Sequence, residues 1–360
     1  MKKVKIGVKW VGEGEPCYII SEIGSNFDGT IEGAKRMVDL SIAAGVDSVK
    51  FQSFLPEKII ARKGFSNKLS FQSRWEKSVW DVYAAASFPR AWHREIAEYC
   101  QEKEIDFSSS PYDREAVNLL VKLDVPYIKI GSGEITNLDF IRYVAQAMKP
   151  VILGTGASTM AEVADAVDTI LKTGNEQIVI LQCITDYPSS IEYANIRAMV
   201  NMGRTFERPF GYSDHTPGSL VPVASVALGA CVIEKHFTHN KASKGPDHPF
   251  AMDLDDMKEM VGAIRGLEKA LGSSQKLVTE EERETVIIQR RSLFTTCTIG
   301  KGTRLTFDML EPLRPAVGIL PKYHSHVVGM TVQQDLGEGE PLTWESLGCS
   351  GLLTTSTKAE

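Results

Sequence analysis

Two histidines, each at the carboxyl end of a short apolar run, stand where they could share a metal ion. GYSDHT (211–216) carries Ser213 and His215, and VIEKHFT (232–238) carries Glu234 and His236. If the two runs are neighbouring strands, about 5 Å apart, their imidazoles can meet at one divalent cation. Two nitrogens with oxygens completing the shell suit Mn²⁺, Fe²⁺, Co²⁺ or Zn²⁺ better than Ca²⁺. A histidine taken alone is more often a packed or capped residue, and it is the pairing across strands that favours a ligand role. Asp247, in KGPDHPF (244–250), could complete the ligand set or grip a sugar hydroxyl. His239 and His248 lie in the same loop as weaker candidates, and His93, His324 and His326 have no such placement.

The second constellation is built for anions. Lys50 in SVKFQSF and Lys129 in YIKIGSGEI sit inside apolar runs, where a buried ammonium needs a negative partner. A structural Lys–Glu pair would explain either lysine, but it does not explain a whole ring of polar residues at strand ends. Lys129, Ser132, Thr185 and Ser213, with backbone N–H groups of GSGE and GTGAS, make a candidate phosphate site at the starts of the next helices. Lys50 leaves room for a second anion such as a carboxylate. The implied ligand carries both groups.

The elements that must position these residues follow a βαβ rhythm. Strand patterns at 17–24, 46–54, 105–111, 125–133, 149–156, 177–183, 208–215 and 230–237 alternate with segments of i, i+3, i+4 apolar spacing, such as 30–45, 114–123, 161–174 and 219–229. Eight such strands before residue 240 predict a (β/α)₈ barrel, with a doubly wound open sheet as the alternative. In such a barrel the active site forms at the carboxyl ends of the strands. Those ends carry Glu22, Lys50 with Gln52, Ser110, Lys129 with Ser132 and Glu134, Thr155, Thr185 with Tyr187, Ser213 with His215, and Glu234 with His236. The rhythm ends in polar QKLVTEEERE (275–284). Short strands with Gly-containing turns follow, predicting a small β-rich module in which IGKGTRLTFDML (299–310) and LGEGEPLTWESL (336–347) look like related units. The expected boundaries are 1–274 for the barrel, 275–288 for the linker, 289–350 for the small domain and 351–360 for a tail.

Composition narrows the function classes. The 360 residues are 43% hydrophobic with an intermixed net charge of −6 and no basic block, which argues against nucleic acid or an anionic membrane surface as a partner. No stretch approaches the ~20 apolar residues of a membrane span, and the amino terminus lacks a signal-peptide pattern, so a cytoplasmic protein is expected. Six cysteines without a CxxC pair or framework spacing fit a reducing compartment.

SEIGSNFDG, VKFQSF, SSSPYD, KIGSGEITN, GYSDHT, VIEKHFT and GPDH, in this order, resemble the sialic acid synthase family, and RRSLF through TWESL resembles its carboxy-terminal antifreeze-like (SAF) domain. The resemblance covers nearly the whole chain. It implies a (β/α)₈ barrel with a SAF domain, a domain-swapped homodimer, and a divalent cofactor, Mn²⁺ first, with Mg²⁺ or Co²⁺ as alternatives. The implied reaction joins C3 of phosphoenolpyruvate to the aldehyde of an acetamido hexose, water adds at C2, and phosphate leaves by C–O cleavage. N-acetylmannosamine is the first acceptor expected. A 2,4-diacetamido-trideoxyhexose leading to legionaminic or pseudaminic acid is the alternative, and a 6-phosphorylated sugar is a further one.

Residue by residue, the resemblance gives Lys129, Ser132 and Ser213 to phosphate, Lys50 and Ser110 to the phosphoenolpyruvate carboxylate, and His215 and His236 to the metal. Glu22, Gln52, Tyr187 and Asp247 match sugar-side or metal-proximal positions, and Glu134 a proton- or water-handling one. Arg314 matches an arginine lent by the partner's SAF domain. The catalytic set expected is therefore Glu22, Lys50, Lys129 and Glu134. Gly154 stands where many members have serine, and Thr185 where asparagine or serine is common. The rival readings are a related condensing enzyme without the SAF domain, a metal-dependent barrel hydrolase, and a non-catalytic sugar-binding protein.

Overall fold

A computed structural model describes residues 2–65, 72–73 and 75–349. Ser350 and the tail expected at 351–360 lie outside the described residues. The chain forms two compact units, Met1–Gly272 and Ser273–Glu360.

In the first unit eight parallel strands wind into a nearly closed barrel: β3 (Tyr18–Glu22), β4 (Ser48–Ser53), β5 (Asp106–Pro111), β6 (Ile128–Ile130), β7 (Val151–Gly154), β8 (Ile178–Cys183), β9 (Phe210–Asp214) and β10 (Val232–His236). Each pairs with the next in sequence, and β10 returns to β3 with His236 opposite Glu22. The exception is the β5–β6 seam, where the Ser108 hydroxyl donates to the Tyr127 carbonyl at 2.6 Å in place of a ladder. All eight strands fall within the predicted runs. The helices between them start and stop on local chemistry: Thr30 caps Ile31–Ala44 by accepting from the Gly33 amide, and Gly45 ends it at φ 79°.

Side chains alternate across the sheet with the strand period of two. Outward-facing Ile19, Val49, Ile128, Ile130, Val151, Leu153, Ile180 and Ile233 pack with the helices into the larger apolar core. Each such burial contributes about 1.5–3 kcal/mol. Inside the barrel, the amino-terminal end is filled by Tyr18, Ile20, Tyr127, Ile152, Val179, Leu181 and Val232. A preceding hairpin, β1 (Val4–Ile6) with β2 (Lys9–Val11), adds Val4, Ile6 and Val11 to that cluster. Its turn begins at Gly7, φ 55°, where a side chain would also meet Asp106 Oδ1 at 2.9 Å. One end of the barrel is thus filled largely by apolar and tyrosine side chains, and both inward-facing lysines lie toward the other.

The second unit begins with a 3₁₀ turn at Glu280–Glu282 and a helix at Arg283–Gln289 in the region expected to be a linker. β11 (Ser292–Thr295) and β12 (Leu310–Leu313) then pair antiparallel. The two related segments bond to each other, Ile299 N to Leu336 O at 2.8 Å and Leu336 N to Ile299 O at 2.9 Å. Their equivalent residues Ile299 and Leu336, Leu305 and Leu342, and Leu310 and Leu347 share one small core. Each segment ends in a short 3₁₀ turn, Phe307–Met309 and Glu345–Leu347.

Candidate active site

Four charged side chains of opposite sign occupy the carboxyl end of the barrel interior. Lys50 on β4 and Lys129 on β6 face Glu22 on β3 and Glu234 on β10, with side-chain exposures between 2% and 6%. Lys50 ion-pairs with Glu22, reaches to 3.8 Å from Glu234 Oε2, and donates to Ser110 Oγ at 3.2 Å. Lys129 Nζ lies 3.2 Å from Glu234 Oε1, and that same oxygen accepts from Ser213 Oγ at 2.8 Å. Gln52 Nε2 donates to Glu22 Oε1 at 2.7 Å. The quartet is electrically balanced, which is what permits two ammonium groups so deep in the protein.

The two carboxyls are pushed in opposite directions. Burial raises Glu22 above the ordinary carboxylate range, and the nearby Glu234 charge adds to this while Lys50 opposes it. Burial would also raise Glu234, but Lys129 and Lys50 together outweigh it and hold the group well below that range. Two adjacent carboxyls driven apart in this way divide proton carrying from permanent charge.

His215 and His236 come together as predicted, their ring centroids 5.1 Å apart. Both are driven down to about 3, His215 by burial and then by His236, and His236 by burial and then by Lys50. They are therefore neutral at ordinary pH, with lone pairs available. His215 Nδ1 donates to the Ile184 carbonyl at 2.7 Å, which leaves Nε2 as the acceptor nitrogen. His236 Nδ1 is buried with no hydrogen-bond partner among the described residues. Two neutral imidazoles, one with an orphaned buried nitrogen, fit a borderline divalent cation. Among the described residues no group of three or more His, Cys, Asp or Glu side chains converges. Asp247, offered as a third ligand or a grip on a sugar hydroxyl, accepts through Oδ2 from the Ser25 hydroxyl and amide at 2.9 and 3.3 Å.

Beside His236 lies a cavity of about 190 Å³, with Ser25, Gln52 and Asp247 among its polar lining and Phe54, Ile59, Trp75, Val82, Tyr83 and Ala86 among its apolar lining. Much of that apolar wall comes from the long connection between β4 and β5, whose helices Pro56–Ile59 and Val79–Ala86 contribute Ile59, Val82, Tyr83 and Ala86. Tyr187 closes the pocket against the histidines, its ring centroid 4.2 Å from that of His215.

The phosphate-side residues are arranged differently from expectation in one respect. Ser132 Oγ accepts the Gly156 amide at 2.9 Å, so that N–H of GTGAS is engaged by a side chain. Close packing enforces this: a side chain at Gly156 would lie 2.7 Å from Thr185 Cγ2 and 3.0 Å from Ser132 Oγ. Glu134 is not drawn into the quartet. It is half-buried and accepts from Asn137 Nδ2 at 3.3 Å, and burial raises its carboxyl. Arg314 belongs to the second unit, where Nε donates to the Gln289 carbonyl at 2.8 Å.

Sequence reasoning counted Glu234 among the strand-end residues without giving it a role, yet it joins both lysines and Ser213. The signal was the alternation, since Glu234 and His236 are two apart on one strand and so share a face. Tyr112 and Ser25 also line the cavity beside His236, and the sequence does not single them out. Nothing in their local sequence distinguishes them from loop residues.

The NeuB family model matches residues 37–276, and the SAF domain model residues 290–348. The N,N'-diacetyllegionaminic acid synthase of Legionella pneumophila is 35% identical over 346 residues, covering 95% of this chain and 97% of that protein. The pseudaminic acid synthase of Helicobacter pylori is 35% identical, covering 92% and 98%. Among solved structures, the N-acetylneuraminic acid synthetase of Leptospira borgpetersenii, in complex with citrate, superimposes with a TM-score of 0.71 at 28% identity, covering 79% of this chain and 95% of that one.

Proposed function

This chain belongs to the NeuB family, and from that premise we propose that it condenses phosphoenolpyruvate with a 2,4-diacetamido-trideoxyhexose. The products are a nine-carbon keto-sugar acid of the legionaminic or pseudaminic type and phosphate. The relatives' names favour this acceptor over N-acetylmannosamine, and so does the pocket's apolar wall of Ile59, Trp75, Val82 and Ala86. A trideoxy sugar with a second acetamido group presents methyl groups where N-acetylmannosamine presents hydroxyls, and apolar walls reward the former.

The observation that carries the reading is the buried Lys50–Glu22–Glu234–Lys129 quartet beside two neutral imidazoles. Lys129 and Ser213 would take the phosphate, releasing Glu234, while Lys50 and Ser110 take the carboxylate. A substrate gripped at both ends presents its C3 carbon in one orientation, which converts an encounter of two dilute molecules into a positioned one. A divalent cation held by His215 and His236, Mn²⁺ first, would supply Lewis-acid polarisation of the acceptor aldehyde. Bond formation from C3 leaves positive charge at C2, and Glu234, ionised in the free site by Lys129 and Lys50, is the carboxyl placed in that mouth to face it. Water then adds at C2, and loss of phosphate breaks the C–O bond. Glu22 is the group that can carry the proton, because its raised carboxyl exchanges protons closer to neutrality than an ordinary one.

The test is phosphate release from phosphoenolpyruvate with Mn²⁺ against diacetamido-trideoxyhexoses, N-acetylmannosamine, its 6-phosphate and arabinose 5-phosphate. Release with a diacetamido sugar, abolished by chelation, is expected. Fastest release with N-acetylmannosamine would overturn the acceptor, and none with any sugar would overturn the reaction. The reading includes a homodimer in which Arg314 serves the partner's sugar pocket. Arg314→Ala and His236→Ala chains, each inactive, should then regain activity on mixing, and no recovery despite subunit exchange would refute the shared site.

A further inference from the structure

Behind the two histidines, on the outer face of the barrel wall, lies an ion pair that the reaction does not use. Lys235 and Asp214 immediately precede His236 and His215, so by strand alternation they point away from the mouth when the histidines point into it. Their side chains are 2% and 0% exposed. Lys235 Nζ donates to Asp214 Oδ2 at 2.5 Å and also to the Thr216 carbonyl. Asp214 in turn accepts from the Thr216 amide at 3.0 Å and from its hydroxyl at 3.1 Å. The residues on both sides of His215 are therefore bound to one ammonium group on the neighbouring strand.

The place of this contact in the ladder gives it a purpose. β9 and β10 pair from Gly211 and Val232 only as far as Asp214 and Lys235. His215 lies past the last paired residue of β9, and His236 is paired on its other side, with Glu22 of β3. Past that point, backbone pairing no longer sets the distance between the two imidazole-bearing residues. We propose that Lys235, Asp214 and Thr216 form a clamp that fixes the separation and aim of His215 and His236, and so act as positioning residues for the metal site. Groups that orient metal ligands commonly govern affinity by 10–100-fold.

The inference rests on His215 and His236 being the metal ligands, and the experiment separates the two claims. Mn²⁺ titration calorimetry and the visible spectrum of bound Co²⁺ are recorded on the full chain, on His236→Ala, and on a Lys235→Met, Asp214→Asn double variant that removes both buried charges together. Far-ultraviolet circular dichroism and thermal melting report whether each chain folds. The clamp predicts that the double variant folds and binds Mn²⁺ about tenfold or more weakly, with an altered Co²⁺ spectrum. A folded double variant with unchanged affinity and spectrum overturns the clamp alone, whereas unchanged binding by His236→Ala overturns the ligand assignment and the clamp with it. Should the double variant not fold, Thr216→Val, which loses only the hydroxyl bond to Asp214, carries the same prediction at about threefold. Unchanged Mn²⁺ affinity in that folded chain is equally fatal to the proposal.

Discussion

Replacing Glu234 by glutamine tests the balance of the buried quartet. Glutamine keeps the shape and can still accept the Ser213 hydroxyl, but it removes the carboxylate that lies 3.2 Å from Lys129 and 3.8 Å from Lys50. Two ammonium groups, at 3% and 5% exposure, would then share Glu22 alone. Breaking a buried pair by removing one partner costs about 3–5 kcal/mol. At about 2–4 °C per kcal/mol for a unit near this size, the ligand-free melting temperature should fall by roughly 6–20 °C. Phosphoenolpyruvate brings the missing negative charge, and in the variant it has no resident carboxylate to displace. The assay is a thermal melt of both proteins with and without saturating phosphoenolpyruvate, and the substrate should raise the variant's midpoint more than that of the unaltered chain. The acid limb should change too: a carboxyl held below its usual range contributes stability that is present above about pH 4.3 and lost as pH falls below it, and Glu234→Gln removes that loss. Equal ligand-free midpoints, or equal gains on adding phosphoenolpyruvate, would refute the charge-balance argument.

Four further outcomes are expected. His236→Ala should abolish Mn²⁺ binding by calorimetry and lower phosphate release by at least about 10²-fold, since a lone imidazole is left. His93, which burial lowers to about 4, is neutral in the fold. The stability this represents is complete above about pH 6.5 and lost as pH falls toward 4, so His93→Phe should reduce the acid-induced loss in urea titrations by roughly 3 kcal/mol. Gly211→Ala would place a Cβ 2.0 Å from the Val232 carbonyl oxygen on the paired strand, and should destabilise by about 3 kcal/mol or more in the same titrations. Val82→Asn, in the apolar wall, should raise KM for a diacetamido-trideoxyhexose about tenfold and raise that for N-acetylmannosamine less.

The barrel was legible because its signal is repeated: eight apolar runs of strand length, each followed by a turn and a helical pattern, leave few other architectures. The histidine pair and both lysines were legible because an imidazole or an ammonium group inside an apolar run is conspicuous. Glu234 was half legible. Its inward direction follows from alternation, but its partners depend on which strands face one another across the barrel, and Lys129 is 105 residues away. The Lys235–Asp214 clamp was illegible for the same reason, because on the sequence Lys235 reads as one more charge in VIEKHFT. The Gly156 amide bound by Ser132 could not be foreseen either, since a glycine-rich turn advertises its donors without saying which are already taken.

The charge quartet also explains how such a site can exist before its substrate arrives. A pocket made to hold a phosphate and a carboxylate needs concentrated positive charge, yet two uncompensated buried ammonium groups would weigh against folding. In the proposed site Glu22 and Glu234 would resolve the conflict by standing in for the two anions. They do so unequally: Glu234, held ionised, faces Lys129 and Ser213, the residues assigned to phosphate, while Glu22, with a raised carboxyl, pairs with Lys50. Arrival of a multiply charged substrate then exchanges one set of ion pairs for another and does not build a charged cavity from nothing. On the proposed reaction, affinity for phosphoenolpyruvate would be lowered by the displaced carboxylates, and Glu22, once relieved of Lys50, would be left with a higher proton affinity when a proton must be carried. On this argument a Glu22→Gln chain should bind phosphoenolpyruvate more tightly than the unaltered one while turning over far more slowly. Weaker binding, measured by calorimetry in the absence of sugar, would show that Glu22 helps to hold the substrate and does not stand in for it.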